Sequence, residues 1–178
     1  GMLLFLDGAR LGYGLASPEN DLTLPFIAQT ADVFYIGGTK QGALFGEAVV
    51  IRNAMLKRNF RYSIKQRGGM LAKGRLLGIQ FAELLRDGLY FDLSRHAVAL
   101  AAKIKASLLE SGYEFLIDSP TNQQFPIFSD EQLSRLEENY AFSYQCRVDE
   151  KRSAVRICTS WATRAEDVDR LISDIRRG

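Results

Sequence analysis

A β-branched and aromatic run that breaks into a glycine-rich turn, FYIGGTKQGALFG from Phe34 to Gly46, constrains this chain more than any other stretch. Val33, Phe34, Tyr35 and Ile36 read as a buried strand. Gly37, Gly38, Gly42 and Gly46 allow tight turns and close backbone approach directly after it. One lysine, Lys40, falls inside that turn. A lysine walled by apolar residues is partly desolvated, and desolvation favours the neutral amine. The neutral amine is the form that attacks a carbonyl to give a Schiff base. Taken alone, the stretch reads as an ordinary solvated turn lysine, since short motifs match by accident. It is not a phosphate-binding P-loop, because the GxxxxGK[ST] spacing is absent.

An upstream stretch changes that balance. LLFLDGAR, Leu3 to Arg10, is an apolar strand that ends in Asp7, with Arg10 three residues on. Charged groups placed where a buried strand runs out are costly unless they meet a ligand or each other. Pyridoxal phosphate (PLP) chemistry uses such a carboxylate. It pairs with the protonated pyridine nitrogen and keeps the ring an electron sink, while a lysine holds the aldehyde. Here both groups follow strands, in the order Asp then Lys.

DGAR, a following strand and GGTKQGA together resemble the threonine aldolase and β-eliminating lyase family of fold-type I PLP enzymes, on the low-specificity threonine aldolase side. The resemblance runs from LLFLDGAR through GGTKQGALFGEAVVI to VRICTSWAT. Tyrosine phenol-lyases and tryptophanases carry a different sequence around their lysine. The resemblance implies that Asp7 holds the pyridine nitrogen and that Lys40 is the catalytic Schiff-base lysine. Thr39 and Arg10 would join them at the cofactor, and Arg10 and Arg156 would sit near the substrate carboxylate. The implied reaction is Cα–Cβ cleavage of a β-hydroxy amino acid to glycine and an aldehyde. The alternatives are β-elimination or racemisation on the same scaffold, or a non-catalytic oligomerising fragment; fold alone does not choose among them. Family members are about twice as long. Their ring-stacking residue and phosphate turn lie upstream of DGAR, so this chain reads as the C-terminal half, with little or no lyase activity by itself. A homodimer or homotetramer is implied.

The implied fold class is α/β: the end of a PLP-transferase-like large-domain sheet, of the aspartate aminotransferase fold, followed by a small C-terminal α/β domain with a mostly antiparallel sheet. The expected division is residues 1–60 for the large-domain remnant and 61–178 for interdomain helices and the small domain. Across 178 residues, 47% hydrophobic and 25% charged side chains fit an ordinary globular chain. A net charge of +2 is too balanced to suggest a nucleic-acid or membrane partner. No apolar run is long enough to span a membrane, and Met2 to Leu6 lacks the basic leader of a signal peptide. The chain is expected in the cytoplasm. Cys146 and Cys158 fall in neighbouring predicted strands; a disulfide is one reading, two buried reduced thiols the favoured one. No metal ligands are singled out.

In chain order, Leu3 to Leu6 reads as a strand covered on both faces. Leu11 to Pro18 reads as a turn, and Thr23 to Thr30 as a short helix with Pro25 in its first turn. The strand–helix–strand spacing predicts a parallel crossover into Val33 to Ile36. Glu47 to Arg52 follows so closely that an antiparallel neighbour is expected. Helices are predicted at Ala54 to Phe60, Met70 to Arg86 and Tyr90 to Ser111. The cations from Lys57 to Arg75 read as a solvated face, or else as reaching a cofactor phosphate across a dimer interface. His96, mid-helix, reads as structural. Strands are predicted at Tyr113 to Ile117, Gln124 to Phe128, Ala141 to Val148 and Ala154 to Thr159, with helices at Ser129 to Glu138 and Glu166 to Arg176. Alternation puts Arg156 on the face opposite Val155 and Ile157.

Overall fold

A computed structural model describes residues 1–177. They form two compact units. The first comprises residues 1–15 and 20–93, and the second residues 16–19 and those from Ser94 onward.

In the first unit, strands β1 (Phe5–Leu6) and β2 (Val33–Gly37) pair in parallel, and β2 pairs antiparallel with β3 (Glu47–Ile51). The crossover and the antiparallel return match the sequence expectation. Strand β1 is shorter than its apolar run, and Leu3, Leu4 and Phe5 are exposed rather than covered on both faces. The reason is its position: β1 lies at the edge of the order β1-β2-β3. The turn expected after Arg10 is instead helix α1 (Leu11–Leu15). Its two glycines disfavour a helix, but the turn buries Tyr13 to 2% exposure, and tertiary packing overrides propensity. Helix α2 (Leu24–Thr30) forms as its sequence dictates. Thr23 caps the Phe26 N–H and Pro25 occupies the first turn.

The predicted helix at Ala54 to Phe60 breaks in two, α3 (Ala54–Lys57) and α4 (Phe60–Gln66). Asn59 sits between them at φ 58°, a left-handed conformation that asparagine tolerates. Helix α5 (Arg75–Leu85) begins later than its apolar pattern, beyond the Gly68 turn at φ 75°. The core of this unit gathers Ile27, Phe34, Ile36, Leu84 and Tyr90.

Helix α6 (Leu89–Glu110) starts in the first unit and continues in the second. The second unit is built on β7 (Arg152–Cys158). It pairs antiparallel with β4 (Gln123–Gln124), β5 (Ile127–Ser129) and β6 (Ser143–Arg147). Helices α7 (Asp130–Leu136) and α8 (Ala165–Arg176) complete it. Two strand predictions change here. Tyr113 to Ile117 reduces to one bridge, Phe115 with Pro126, and Gln124 to Phe128 splits in two. Pro126 has no N–H to give the ladder, which is why pairing lapses at that point. The unit's core joins Ile104, Leu108, Phe128, Leu136, Val155, Val168 and Ile175. Both cysteines are free thiols; contrary to expectation neither is buried, since Cys146 is partly exposed and Cys158 exposed.

Candidate functional site

The two motifs of the first unit are pressed together by their glycines. A Cβ on Gly8 would stand 1.6 Å from the Tyr35 carbonyl oxygen, and one on Gly37 would stand 2.6 Å from that of Ala9. Only glycine allows both approaches. The Gly37 N–H then donates to the Gly8 carbonyl at 3.0 Å. The ends of β1 and β2 therefore leave the sheet side by side, and Asp7 and Lys40 leave with them.

Register and alternation decide which side chains meet. Leu6 lies opposite Phe34, and both pack in the core. The next pair along, Asp7 and Tyr35, belongs to the opposite face. There the Tyr35 hydroxyl donates to Asp7 Oδ1, which also accepts the Ala9 N–H at 3.0 Å. These two bonds hold the Asp7 carboxyl below its ordinary range; the nearby charges of Lys40 and Arg10 add to the effect. The same bond raises the Tyr35 phenol. Asp7 is thus a fixed anion with two cations beside it.

Lys40 sits in a 3-10 turn, Thr39–Gln41. The turn is held from three sides. Gly38 accepts the Gln41 and Ala43 N–H groups at 2.9 and 3.0 Å, and its own N–H donates to Glu47 Oε2 at 2.9 Å. The Tyr13 hydroxyl donates to the Lys40 carbonyl. Tyr90 in turn accepts the Gly12 N–H at 3.1 Å, and burial pushes its phenol up to about 12, so it stays neutral there. Lys40 itself is half-buried, Thr39 exposed, and Arg10 half-buried just ahead of α1.

Asp7, Arg10, Thr39 and Lys40 thus occupy adjoining turns of one unit. Arg156 belongs to the second unit, on β7, with Val155 and Ile157 buried on the other face as alternation requires. Its guanidinium bonds only weakly to neutral groups, Gln123 Oε1 at 3.4 Å and Ser143 Oγ at 3.5 Å. Its buried Nε–H has no hydrogen-bond partner. His96 Nε2 lies 2.8 Å from the Thr163 carbonyl, a structural tether.

The sequence reading missed Tyr13, Tyr35, Glu47 and Tyr90 as supports. Tyr35 was readable: with β1 and β2 parallel and in this register, alternation sends it to the Asp7 face. Tyr13 was hidden by the expectation of an irregular turn.

No family model matches the chain. Two curated low specificity L-threonine aldolases do, from Pseudomonas sp. (strain NCIMB 10558) and Pseudomonas aeruginosa. They are 29% and 30% identical over 99% of this chain and 50% of their own length. The chain therefore spans about half the length of the curated relatives it matches. Among solved structures, Leishmania major threonine aldolase superimposes with a TM-score of 0.96 at 45% identity, over 99% of this chain and 52% of that one. In sequence and in fold, the chain is similar to the C-terminal part of threonine aldolases, a part of the PLP-transferase architecture.

Proposed function

We propose that the protein carrying this chain is a PLP-dependent lyase that cleaves the Cα–Cβ bond of β-hydroxy amino acids, threonine among them. The observation that carries the reading is the placement of a fixed carboxylate, Asp7, and an amine, Lys40, on adjoining turns. That donor set fits the cofactor. The Asp7 anion would face a protonated ring nitrogen, and the Lys40 amine would take the aldehyde carbon. Thr39 and Arg10 lie at the same turns to help hold it. When bound, pyridoxal phosphate supplies the electron sink for the pair released at the substrate's Cα. The chain's own residues bind and orient. A planar guanidinium is the best fork for an amino-acid carboxylate. Arg10 is one candidate. Arg156, weakly engaged and with a buried N–H to satisfy, is the other.

The same reading includes a homodimer or homotetramer in the cytoplasm. Supporting it, the segment from Met55 to Ile79 carries seven cations and no acid, and it exposes Met55 and Tyr62 at 81% and 75%. Two free thiols suit a reducing compartment. Among the described residues, no helix is long and apolar enough to cross a membrane.

The test is PLP addition to the full-length protein and to its Asp7→Asn variant, with absorbance and product analysis on L-threonine, L-allo-threonine, L-serine and L-tyrosine. Glycine and aldehyde from the first two, with strong loss in Asp7→Asn, are expected. Pyruvate or phenol as the main product would replace aldolase with elimination.

A further inference from the structure

We propose that Tyr35 is a positioning residue for Asp7: its phenol fixes one carboxylate oxygen so that the other is presented to a protonated ring nitrogen. The proposal rests on the reading of Asp7 given above and adds a residue to it. The geometry comes from the parallel β1–β2 ladder. Phe34 and Ile36 of β2 are buried at 2% and 8%, so Tyr35 between them must point to the other face. Phe5, two residues before Asp7 on β1, shares that face. Its ring centroid lies 6.1 Å from that of Tyr35, tilted by 41°. Tyr35 therefore stands between Phe5 and Asp7, with its ring braced and its hydroxyl on the carboxylate.

Both hydrogen bonds to Asp7, from the Tyr35 hydroxyl and the Ala9 N–H, fall on Oδ1. Oδ2 carries neither. A carboxylate gripped at one oxygen by a phenol and a backbone amide loses rotation about its Cβ–Cγ bond. Its remaining lone pairs then keep a fixed direction. Such outer partners orient and tune the group that touches the cofactor. The charged and titratable groups around the pair are Arg10, Lys40 and Glu47. Arg10 and Lys40 lower Asp7 and Glu47 raises Tyr35, so the phenol stays the donor and Asp7 the anion.

The experiment compares wild type, Tyr35→Phe, Asp7→Asn and the double variant of the full-length protein. Phenylalanine keeps the contact with Phe5 and removes only the donor. The first readout is the titration midpoint of Asp7, followed by carboxyl 13C NMR without cofactor. Tyr35→Phe should move it up toward the ordinary aspartate range, because the bond that most lowers it is gone. The second readout is PLP affinity, expected to fall about ten-fold in Tyr35→Phe and at least as far in Asp7→Asn, with no further loss in the double variant. An unmoved Asp7 midpoint overturns the proposal. So does a PLP affinity that ignores Tyr35→Phe while Asp7→Asn keeps its effect, and in that case the reading of Asp7 survives. Affinity that ignores Asp7→Asn overturns that reading and the proposal with it. Should Tyr35→Phe fail to fold, 3-fluorotyrosine at position 35 preserves the shape and strengthens the donor. It should drive the Asp7 midpoint further down, and no movement would refute the role.

Discussion

Lys40 is singled out among the chain's lysines by what surrounds its backbone rather than by its side chain. The Gly38 carbonyl, Glu47 and Tyr13 all fix the turn that carries it. The turn's geometry is therefore set before any ligand arrives, which is how binding residues on a loop gain precision. Borohydride reduction of the PLP-loaded full-length protein, followed by peptide mapping, should place the pyridoxyl label on Lys40. A label on any other lysine would contradict the assignment. Arg156 poses a different question. Its weak bonds to Gln123 and Ser143 leave its fork available. Arg156→Lys keeps the charge but loses the two-pronged geometry. It should raise KM for the amino acid about ten-fold while sparing cofactor absorbance, since a hydrogen bond to a charged group contributes on the order of 1.5–3 kcal/mol. An unchanged KM would leave Arg156 a structural strand residue.

At the level of elements, β1 and β2 position the site because glycines let their ends touch. Gly37→Ala tests this directly: the new Cβ would press on the Gly8 and Ala9 carbonyl oxygens at 2.7 and 2.6 Å, backbone atoms that cannot swing away. Overpacking of this kind costs about 1–3 kcal/mol. A thermal melt should show that loss, together with weaker PLP binding; a melt like wild type would mean the two turns are free to part. The same elements show what the sequence made legible. The parallel crossover, the antiparallel return to β3 and the face taken by Arg156 all follow from short-range spacing and alternation, and all three are found. What failed depends on partners distant in the chain. The Leu3 to Leu6 run promised a strand covered on both faces, but pairing is set by neighbours and β1 has one, β2. Helix α1 contains two glycines and forms because Tyr13 is buried beneath it. Pro126 interrupts a strand whose propensities read as continuous. Asp7 and Lys40 could be picked out as candidates because each lies in a short motif directly after a strand, and the fold brings their turns together. Of their supports only Tyr35 was within reach of alternation; Tyr13 and Tyr90 were not, because they act through contacts distant in the chain.

Taken as a whole molecule, the chain shows water more apolar surface along β1 than an edge strand usually tolerates. Leu3, Leu4 and Phe5 are 58%, 49% and 60% exposed, and Leu22 and Phe26 beside them 43% and 52%. Behind this surface runs an apolar cavity of about 280 Å³, lined by Leu4, Leu6, Leu11, Leu15, Leu22 and Ile27 among others. Natural edges are usually blunted by charge, proline or a bulge. Here Asp7 comes only after the ladder has ended, so the edge from Leu3 to Leu6 carries no charge of its own. Contiguous exposed apolar surface next to unpaired strand groups drives association. The 178 residues purified alone should therefore self-associate and bind a hydrophobic dye such as ANS. Charging the edge, with Leu3→Lys and Phe5→Lys together, should reduce both. Static light scattering and dye fluorescence decide the matter. A monodisperse monomer with no dye binding, already in the unmodified chain, would mean that this edge folds back on itself in solution and that the exposed run is not a sticky surface.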